Sequence, residues 1–458
     1  MKGLINWLIV VAVGFALMVF SYFNYQYQPG PNPWKYAFMY IGKADPNSEA
    51  VGLEYVKRPI HLLPMSGRAQ NFTMLARNFG SHIEQSYRVC FQEKLVLYPD
   101  ITSNFTVQML EWGRLPSPDS NEVLAGYCTK NKGNVTIDGH KFYVVGQFKK
   151  VVRLFVDSYL VSDGAAAGEL FDPKNEDVQN AYILRLPKEQ LLDSKVTEQL
   201  KKAFPESKFA AYGPMLRTEQ RPFFLYILGM AILFIGGSVA LFKTYYLLSE
   251  RIANKWLRLP LLEISKYKRL FLALHFIYFG VTILFMLVAY YLPELQVCLL
   301  AGIKSQVTDG SGPLAIAGKA YMSKNILRAA LTTFAINFFL GSVAYITIPS
   351  IIIPAVGVLG AIFRATMWGL LLAPTFDALS GAMLPHSLTI LLEGEAYIIA
   401  AFFGLLILVY LFRKAEGPNI LRRYGKALLM NLRGNLLVAI VLAIAAIYEA
   451  IEVILGML

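Results

Sequence analysis

Apolar residues in this chain form one run at the N-terminus and a series of runs through the C-terminal half. The first run extends from about Leu4 to Phe23, and a mixed, more polar segment then covers residues 24–220. A helix needs about 20 apolar residues to cross a bilayer, so the first run predicts a membrane helix. A retained anchor is favoured over a cleaved signal peptide, because no small-x-small cleavage site follows the run.

The later runs predict six further spans. They extend over about Phe223–Leu241, Phe271–Leu292, Leu327–Leu372, Leu388–Phe412 and Leu436–Leu455. The third of these is long enough for two crossings, with a turn at Ile348-Pro349-Ser350 and Pro354. The predicted fold class is an α-helical polytopic membrane protein of about seven spans, with an extracytoplasmic α+β domain between spans one and two.

Composition agrees with a membrane protein. The chain is 55% hydrophobic and 16% charged, with a mean hydropathy of +0.46, which is too apolar for an ordinary soluble protein of 458 residues. The net charge of +12 lies largely in short loops beside apolar runs. It therefore predicts membrane topology, and we expect no nucleic-acid partner.

Two basic loops orient the spans. The first covers residues 248–269, between a second span at 221–247 and a multi-span body at 270–458, and the other follows the run that ends at Phe412. Both loops are predicted to be cytoplasmic, which places the N-terminus inside and residues 24–220 outside a bacterial inner membrane. The first loop is also the candidate partner-docking segment, through Arg251, Lys255, Trp256, Arg258, Lys266, Lys268 and Arg269.

Short β-type runs divided by turn residues predict an α+β module in residues 24–220. They are EKLVLYPD, VTIDGHKFYVVGQF and VRLFVDSYLV. The second is the clearest hairpin, with a tight turn at Asp138-Gly139. A helix is expected over PKEQLLDSKVTEQLKKAF, residues 187–204, where leucine and valine form an apolar stripe.

The segments Glu111–Gly126 and Val135–Gly146 resemble the periplasmic core domain of MacB-type ABC permeases. The resemblance implies an outer domain that moves with a cytoplasmic ATPase. From the residues themselves we expect mainly turns, with Arg114 and Glu122 forming a buried ion pair. The matching residues are Gly113, Arg114, Pro116, Pro118, Glu122, Val123, Gly126, Asp138, Gly139, Val144, Val145 and Gly146.

Residues of about 270–455 instead resemble the stage II sporulation protein M family of multi-span membrane proteins. KNILRAAL, from Lys324, is similar to an Asn-x-x-Arg motif ahead of a span. LPHSLTILLEGEAYIIAAFFG, from Leu384, is similar to a Leu-Pro-His-Gly segment followed by Glu, although Ser387 replaces the usual Gly. This resemblance implies an architecture more than an activity.

Ionisable residues within spans are costly and therefore informative. We predict an intramembrane pair between Arg364 of the fifth span and Glu449 or Glu452 of the seventh, serving helix packing or a substrate or proton path. His386, Glu393 and Glu395 are predicted to cluster at the outer edge of the sixth span. There they could cap the helix at the membrane interface or form a metal or acid-base site.

Chemistry-bearing motifs are scarce. The chain has no HExxH, GxSxG or CxxC motif, and we expect no enzymatic activity of its own and no cofactor. Cys90 and Cys128 fall in the outer domain, where they could form a disulfide. Glycosylation acceptors occur at Asn71, Asn104 and Asn134, and a bacterial host would leave them unmodified.

Two functions fit these features. In the first, the chain is a permease-like subunit of an ABC-type transport or mechanotransmission complex, whose separate ATPase docks on an amphipathic coupling helix in residues 248–269. In the second, it is an envelope scaffold that acts in cell-wall or envelope remodelling. The expected partners are the bilayer, the separate ATPase, other membrane subunits and further copies of the chain. An intramembrane hydrolase that uses His386 and Glu393 is a third hypothesis.

Overall fold

A computed structural model of the chain shows two compact units. The helical unit contains Met1–Gln26, Glu219–Val288 and Lys319–Leu458, and the sheet unit contains Tyr27–Thr218 and Ala289–Gly318. The structure describes residues 2–24, 37–42, 55–63, 94–97, 110–126, 129, 132–148, 158–161, 165–172, 178–185, 203, 208–212, 220–292, 295–296, 299–300, 303, 307, 312–375 and 377–457.

Within Tyr27–Thr218, the described residues form a ten-stranded mixed sheet and include a short helix, α2, at Ala165–Leu170. The strands are β1 Ala37–Gly42, β2 Tyr55–Leu62, β3 Lys94–Leu97, β4 Leu110–Gly113, β5 Glu122–Ala125, β6 Gly133–Ile137, β7 His140–Phe148, β8 Ser158–Val161, β9 Val178–Arg185 and β10 Lys208–Tyr212. Their order is β10-β1-β9-β2-β3-β8-β5-β7-β4, and β6 pairs with β7. Pairs β3–β8 and β5–β7 are parallel, and the other recorded pairs are antiparallel.

The predicted hairpin is confirmed. Ile137 pairs with His140, and Asp138 and Gly139 between them have φ angles of 44° and 83°. Two successive positive φ angles are the requirement of the type I′ turn, which Asp-Gly supplies readily. Strands β3 and β8 fall within the other two predicted runs, whereas the helix predicted over residues 187–204 lies almost entirely outside the described residues.

The core of the sheet unit lies under the centre of the sheet. It contains buried side chains from β3, β5, β7, β8 and α2, among them Leu95, Val123, Phe142, Tyr159 and Leu170. Alternate residues of β6 and β7 face this core, which explains the two-residue period of that segment.

The helical unit begins with α1, Lys2–Phe23, which packs along α3, Gln220–Arg251. Glycines allow close contact, since a Cβ on Gly14 would lie 2.6 Å from the backbone N of Leu233 and 2.7 Å from the carbonyl O of Gly229. Small residues at such positions are the usual means of close helix packing in membranes.

Further helices that the structure describes follow in order. They are α4 Lys255–Lys266, α5 Lys268–Tyr291, α6 Pro313–Met322, α7 Ile326–Ala335, a π-helical segment Ile336–Thr347, α8 Ile348–Ile352, α9 Val356–Leu372, α10 Asp377–Phe412 and α11 Ile420–Met457. Six helices of the described chain are long and apolar enough to cross a membrane, which supports a polytopic membrane protein. The apolar helix α9 has 17 residues and is shorter than these six.

The turn between the predicted fourth and fifth spans includes the predicted Pro354 but not Ile348-Pro349-Ser350. Ile348 and Pro349 are helical and belong to the continuous helical stretch Ile326–Ile352. The chain reverses at Ala355, whose φ of 80° is left-handed. Helix α9 then returns antiparallel, since Gly357 lies beside Ser350 and Gly341 lies beside Arg364.

Candidate functional sites in the helical unit

Helices α10 and α11 of the helical unit carry four glutamates, two on each. Helix α10 is the most buried of the six long apolar helices, and Glu393 and Glu395 on it are 3% and 0% exposed. Glu449 and Glu452 lie on α11. A carboxylate in an apolar interior requires a polar or charged partner. The contacts of these glutamates therefore show which helices are linked by polar side chains.

Glu393 belongs to a cluster formed by three elements. The side-chain amide of Asn337, in the π-helical segment, donates to Glu393 Oε1 at 2.7 Å, and Arg364 Nη2, on α9, donates to Asn337 Oδ1 at 2.8 Å. The Arg364 guanidinium itself is 3.8 Å from Glu393 Oε2. Asn337 therefore bridges the two charges.

Aromatic rings and a glycine hold the Arg364 guanidinium. It lies 4.3 Å from the ring centroid of Tyr397 and 5.5 Å from that of Trp368, both within the range of cation–π attraction. A Cβ on Gly341 would lie 3.1 Å from Arg364 Nη1 and 3.0 Å from the Tyr397 hydroxyl. The cluster is thus built around a π-helical segment, a rare geometry that is frequent at functional sites.

Two of the other three acids, Glu395 and Glu452, each face a histidine. His275 Nε2, on α5, is 2.6 Å from Glu395 Oε2, and its Nδ1 is 2.8 Å from the Phe271 carbonyl O. Because a carbonyl only accepts, Nδ1 carries a hydrogen and Nε2 faces the acid. On the other side of α10, His386 Nδ1 is 2.8 Å from Glu452 Oε1.

These contacts correct two predictions. The ion pair recorded for Arg364 is with Glu393 and not with Glu449 or Glu452, because the antiparallel return of α9 brings Arg364 beside the π-helical segment. His386, Glu393 and Glu395 do not form one cluster at a helix edge. Helix α10 begins at Asp377, eleven residues before the predicted start, so all three are interior positions with separate partners.

Sequence reasoning missed His275 and Asn337. Both are polar residues within apolar runs, and the rule that singled out Arg364 applies equally to them. Trp368 and Tyr397 carried no comparable signal, since aromatic residues are common in membrane helices.

In the sheet unit, Arg114 and Glu122 form the predicted ion pair, but it is not buried. Arg114 Nη1 donates to Glu122 Oε2 at 2.8 Å, while the two side chains remain 56% and 19% exposed. The guanidinium, together with the backbone N–H of Ser117, lowers the pKa of the Glu122 carboxyl to about 2. The pair ties β4 to β5 at the surface.

The predicted docking loop is mostly helix. Helix α3 continues to Arg251, and α4 begins after Asn254, whose Oδ1 accepts a hydrogen bond from Trp256 N at 2.8 Å. This is ordinary N-capping by asparagine. Helix α4 is the amphipathic helix predicted within residues 248–269, and only a short break separates it from α3.

Helix α4 is amphipathic and packs against α3 and α11. Pro260, Leu261 and Ile264 are buried, while Trp256 and Leu262 are 46% and 40% exposed. The predicted docking residues lie together at the end of α3, on α4 and at the start of α5, and those with a basic side chain are exposed: Arg251, Lys255, Arg258, Lys266, Lys268 and Arg269.

The two basic segments lie at the same end of the helical unit. Arg413 Nη1, just after α10, donates to the Tyr267 hydroxyl, between α4 and α5, at 2.6 Å. The Arg433 guanidinium, on α11, lies 5.3 Å from the Trp256 ring centroid. Lys268 and Arg269 begin α5, where positive charge opposes the helix dipole, so helix stability does not explain their position.

Some predicted residues cannot be placed. Cys90, Cys128, Asn71 and Asn104 lie outside the described residues, and Asn134 is exposed on β6. Within the described part of the chain, no group of three or more His, Cys, Asp or Glu residues could hold a metal ion.

Comparison of the chain with protein-family models, with curated proteins and with solved structures finds no match. The geometry described above is therefore the basis for assigning a function.

Proposed function

We propose that the chain crosses the membrane seven times, with a cytoplasmic N-terminus and residues 24–220 outside the cell. The contact between Arg413 and Tyr267 supports this, because two segments at one end of the bundle require an even number of crossings between them. The candidate crossings between these two segments are α5, the α7–α8 region, α9 and α10. They make an even number of crossings only if α9 crosses the membrane. Its antiparallel return beside α8 is consistent with that role.

We infer that the protein is a permease-like subunit of an ABC-type transport or mechanotransmission complex whose ATPase is a separate chain. The observation that carries this proposal is α4. Its apolar side is buried against α3 and α11, and its exposed side combines basic residues with Trp256 and Leu262. Such a surface is suited to a partner with an acidic groove that also accepts an aromatic side chain.

Helix α4 is connected to the rest of the molecule in a way that suits coupling. It packs on α3, a continuous helix of 32 residues that directly follows the sheet unit in the chain. It also packs on α11, which α10 contacts along its length. A partner that moves α4 would therefore displace helices that lead to the outer domain and to the buried acids.

The two family relationships remain part of this proposal. The MacB-type resemblance is supported by the roles of its residues: Gly113 has a φ of 88° next to the Val145 carbonyl, and Arg114 binds Glu122. The sporulation-protein-M resemblance is supported by Asn325, which caps α7 by accepting from Arg328 N at 2.9 Å. Both are features that a shared fold would preserve.

A crosslinking experiment tests the docking proposal. A photoreactive amino acid at Leu262, in the full chain in native membranes, should crosslink to an ATP-binding subunit. The yield should depend on the nucleotide present. The same probe at Ala415, an exposed position near the second basic segment, is the matched control and should not give this product.

Charge reversal gives the second arm. R258E should abolish the crosslink at Leu262, whereas K414E, an exposed lysine outside α4, should leave it unchanged. If no ATP-binding partner is captured in any nucleotide state, the coupling function is wrong. The envelope-scaffold function is then the better account.

A further inference from the structure

We propose that Glu393 and Glu449, together with Arg364, form a site that binds and releases one proton within the helical unit. The inference rests on the helical unit alone and is independent of any partner of α4. It assigns the membrane body a proton-linked step in addition to the proposed coupling to an ATPase.

The first argument is the charge of the cluster. Glu449 interacts electrostatically with Glu393 and with Arg364, and the Arg364 guanidinium, 3.8 Å from Glu393, supplies the positive charge. With both acids ionised, the cluster carries one uncompensated negative charge in apolar surroundings. One added proton makes it neutral, since two carboxyl groups that share a site do not ionise together readily.

The second argument is the set of buried polar atoms that face the cluster. Glu449 Oε2, Arg364 Nε and the hydroxyls of Tyr278 and Tyr397 are buried and have no hydrogen-bond partner among the described residues. Tyr278 and Tyr397 also interact electrostatically with Arg364 and Glu393. Polar atoms in this arrangement can exchange hydrogen bonds when a proton arrives or leaves.

The third argument is a route. Glu449 also interacts with the hydroxyl of Tyr321, on α6, which is only partly buried and lies 2.9 Å from Thr333 Oγ1. Glu393, Glu449 and Tyr321 thus lead from the buried cluster toward the end of the bundle where α6 precedes α7. On the proposed topology this end faces outward.

The other titratable groups near the cluster are already paired or aromatic. Tyr278 faces it from α5, Arg364 from α9, Tyr397 from α10 and Tyr321 from α6. The remaining two acids of this region have their own partners, His275 for Glu395 and His386 for Glu452. A metal cation would compete with the guanidinium for the same carboxylates, so the chemistry favours a proton.

The binding step is simple to balance. A hydronium ion from the aqueous side transfers its proton to a carboxylate oxygen, which yields a neutral carboxylic acid and water. Release is the reverse reaction. No oxidant, reductant or covalent intermediate is involved.

Infrared spectroscopy of the purified full chain in lipid nanodiscs tests the proposal through the C=O band of protonated carboxyl groups at neutral pH. E393Q and E449Q should each remove the same part of this band, because the remaining carboxylate is then neutralised by Arg364. R364Q should about double that part, since both acids must then be protonated. E250Q, which changes an exposed acid outside the cluster, should change nothing.

Two results would overturn the proposal. One is a band of unchanged intensity in either E393Q or E449Q. The other is a band that falls when sodium replaces potassium in the buffer, which would indicate a cation site. Glutamine at position 449 keeps a side-chain oxygen that can accept a hydrogen bond from the Tyr321 hydroxyl, so E449Q is the second variant if E393Q folds poorly.

Discussion

Gly113 shows how a single residue position can be required by backbone geometry. Its φ is 88°, and a Cβ there would lie 2.1 Å from the Val145 carbonyl O, a distance that no real contact tolerates. Gly133 has a similar φ of 77°, but nothing lies within 4 Å of its Cβ position. A comparison of substitutions at the two glycines therefore distinguishes the cost of a left-handed backbone from the cost of a steric clash.

We predict that G113A destabilises the protein by several kcal/mol more than G133A. G133A should lower the free energy of unfolding only by the cost of placing alanine in a left-handed conformation, about 1–2 kcal/mol. Thermal unfolding of both variants, followed by the far-ultraviolet signal of the sheet, measures the difference. Equal losses in the two variants would show that β4 does not approach β7 as described.

The pair of Arg114 and Glu122 predicts a pH dependence. The folded-state pKa of Glu122 is about 2, below the ordinary value of about 4.3 for a glutamate. Its contribution to stability is therefore complete above pH of about 4.3 and is lost as the pH falls through about 2.

Hydrogen exchange measures this contribution. Relative to the wild type, E122Q should exchange faster in the segment between β4 and β5 at pH 7, and the difference should shrink between about pH 4 and pH 2. Comparison at each pH cancels the intrinsic rate. A difference that grows on acidification would contradict the pairing.

At the scale of elements, long apolar runs were read correctly from the sequence and their ends were not. A run of apolar residues must form a helix in lipid because each backbone group needs an internal partner. The end of the helix depends on local contacts. Asparagine is a usual capping residue, as Asn254 is for α4, but alanine gives no signal for the left-handed turn at Ala355 before α9.

In the candidate site, too, some features were predictable from the sequence and others were not. The sequence marked Arg364 and Glu449 as costly residues within spans and placed Glu393 at a helix edge. Which acid Arg364 meets depends on the direction of α9 and on the π-helical segment. The π-helical segment has more residues per turn than an α-helix, and the spacing of its apolar residues does not reveal this. The partners of buried charges were therefore unpredictable even though the charges themselves were conspicuous.

The contact between α1 and α3 gives a prediction at this scale. G14L should disrupt the contact, because the new side chain would occupy the space of the α3 backbone at Gly229 and Leu233. Overpacking of this kind costs typically about 1–3 kcal/mol. Disulfide crosslinking between cysteines placed on α1 and α3 should fall in G14L.

Gly280 provides the control for this variant. It lies on α5, within an apolar helix of similar length, and nothing lies within 4 Å of its Cβ position. G280L should leave the crosslink between α1 and α3 unchanged. Equal crosslinking in G14L and the wild type would mean that these helices do not pack through their glycines.

At the scale of the whole molecule, the account depends on α9. If this 17-residue helix crosses the membrane, both basic segments are cytoplasmic and the end of α11 is outside. If it does not, the number of crossings between the basic segments is odd, and they cannot share one side. The docking proposal and the outward route from Glu449 both depend on the first arrangement.

Cysteine labelling in intact cells decides between these arrangements most directly. In a variant without the native cysteines, single cysteines are introduced at exposed positions and treated with a membrane-impermeant thiol reagent, with permeabilised cells as the control. We predict that K132C and G456C are labelled in intact cells, and that A253C and A415C are labelled only after permeabilisation. Protection of G456C, or labelling of either A253C or A415C in intact cells, would contradict the proposed topology.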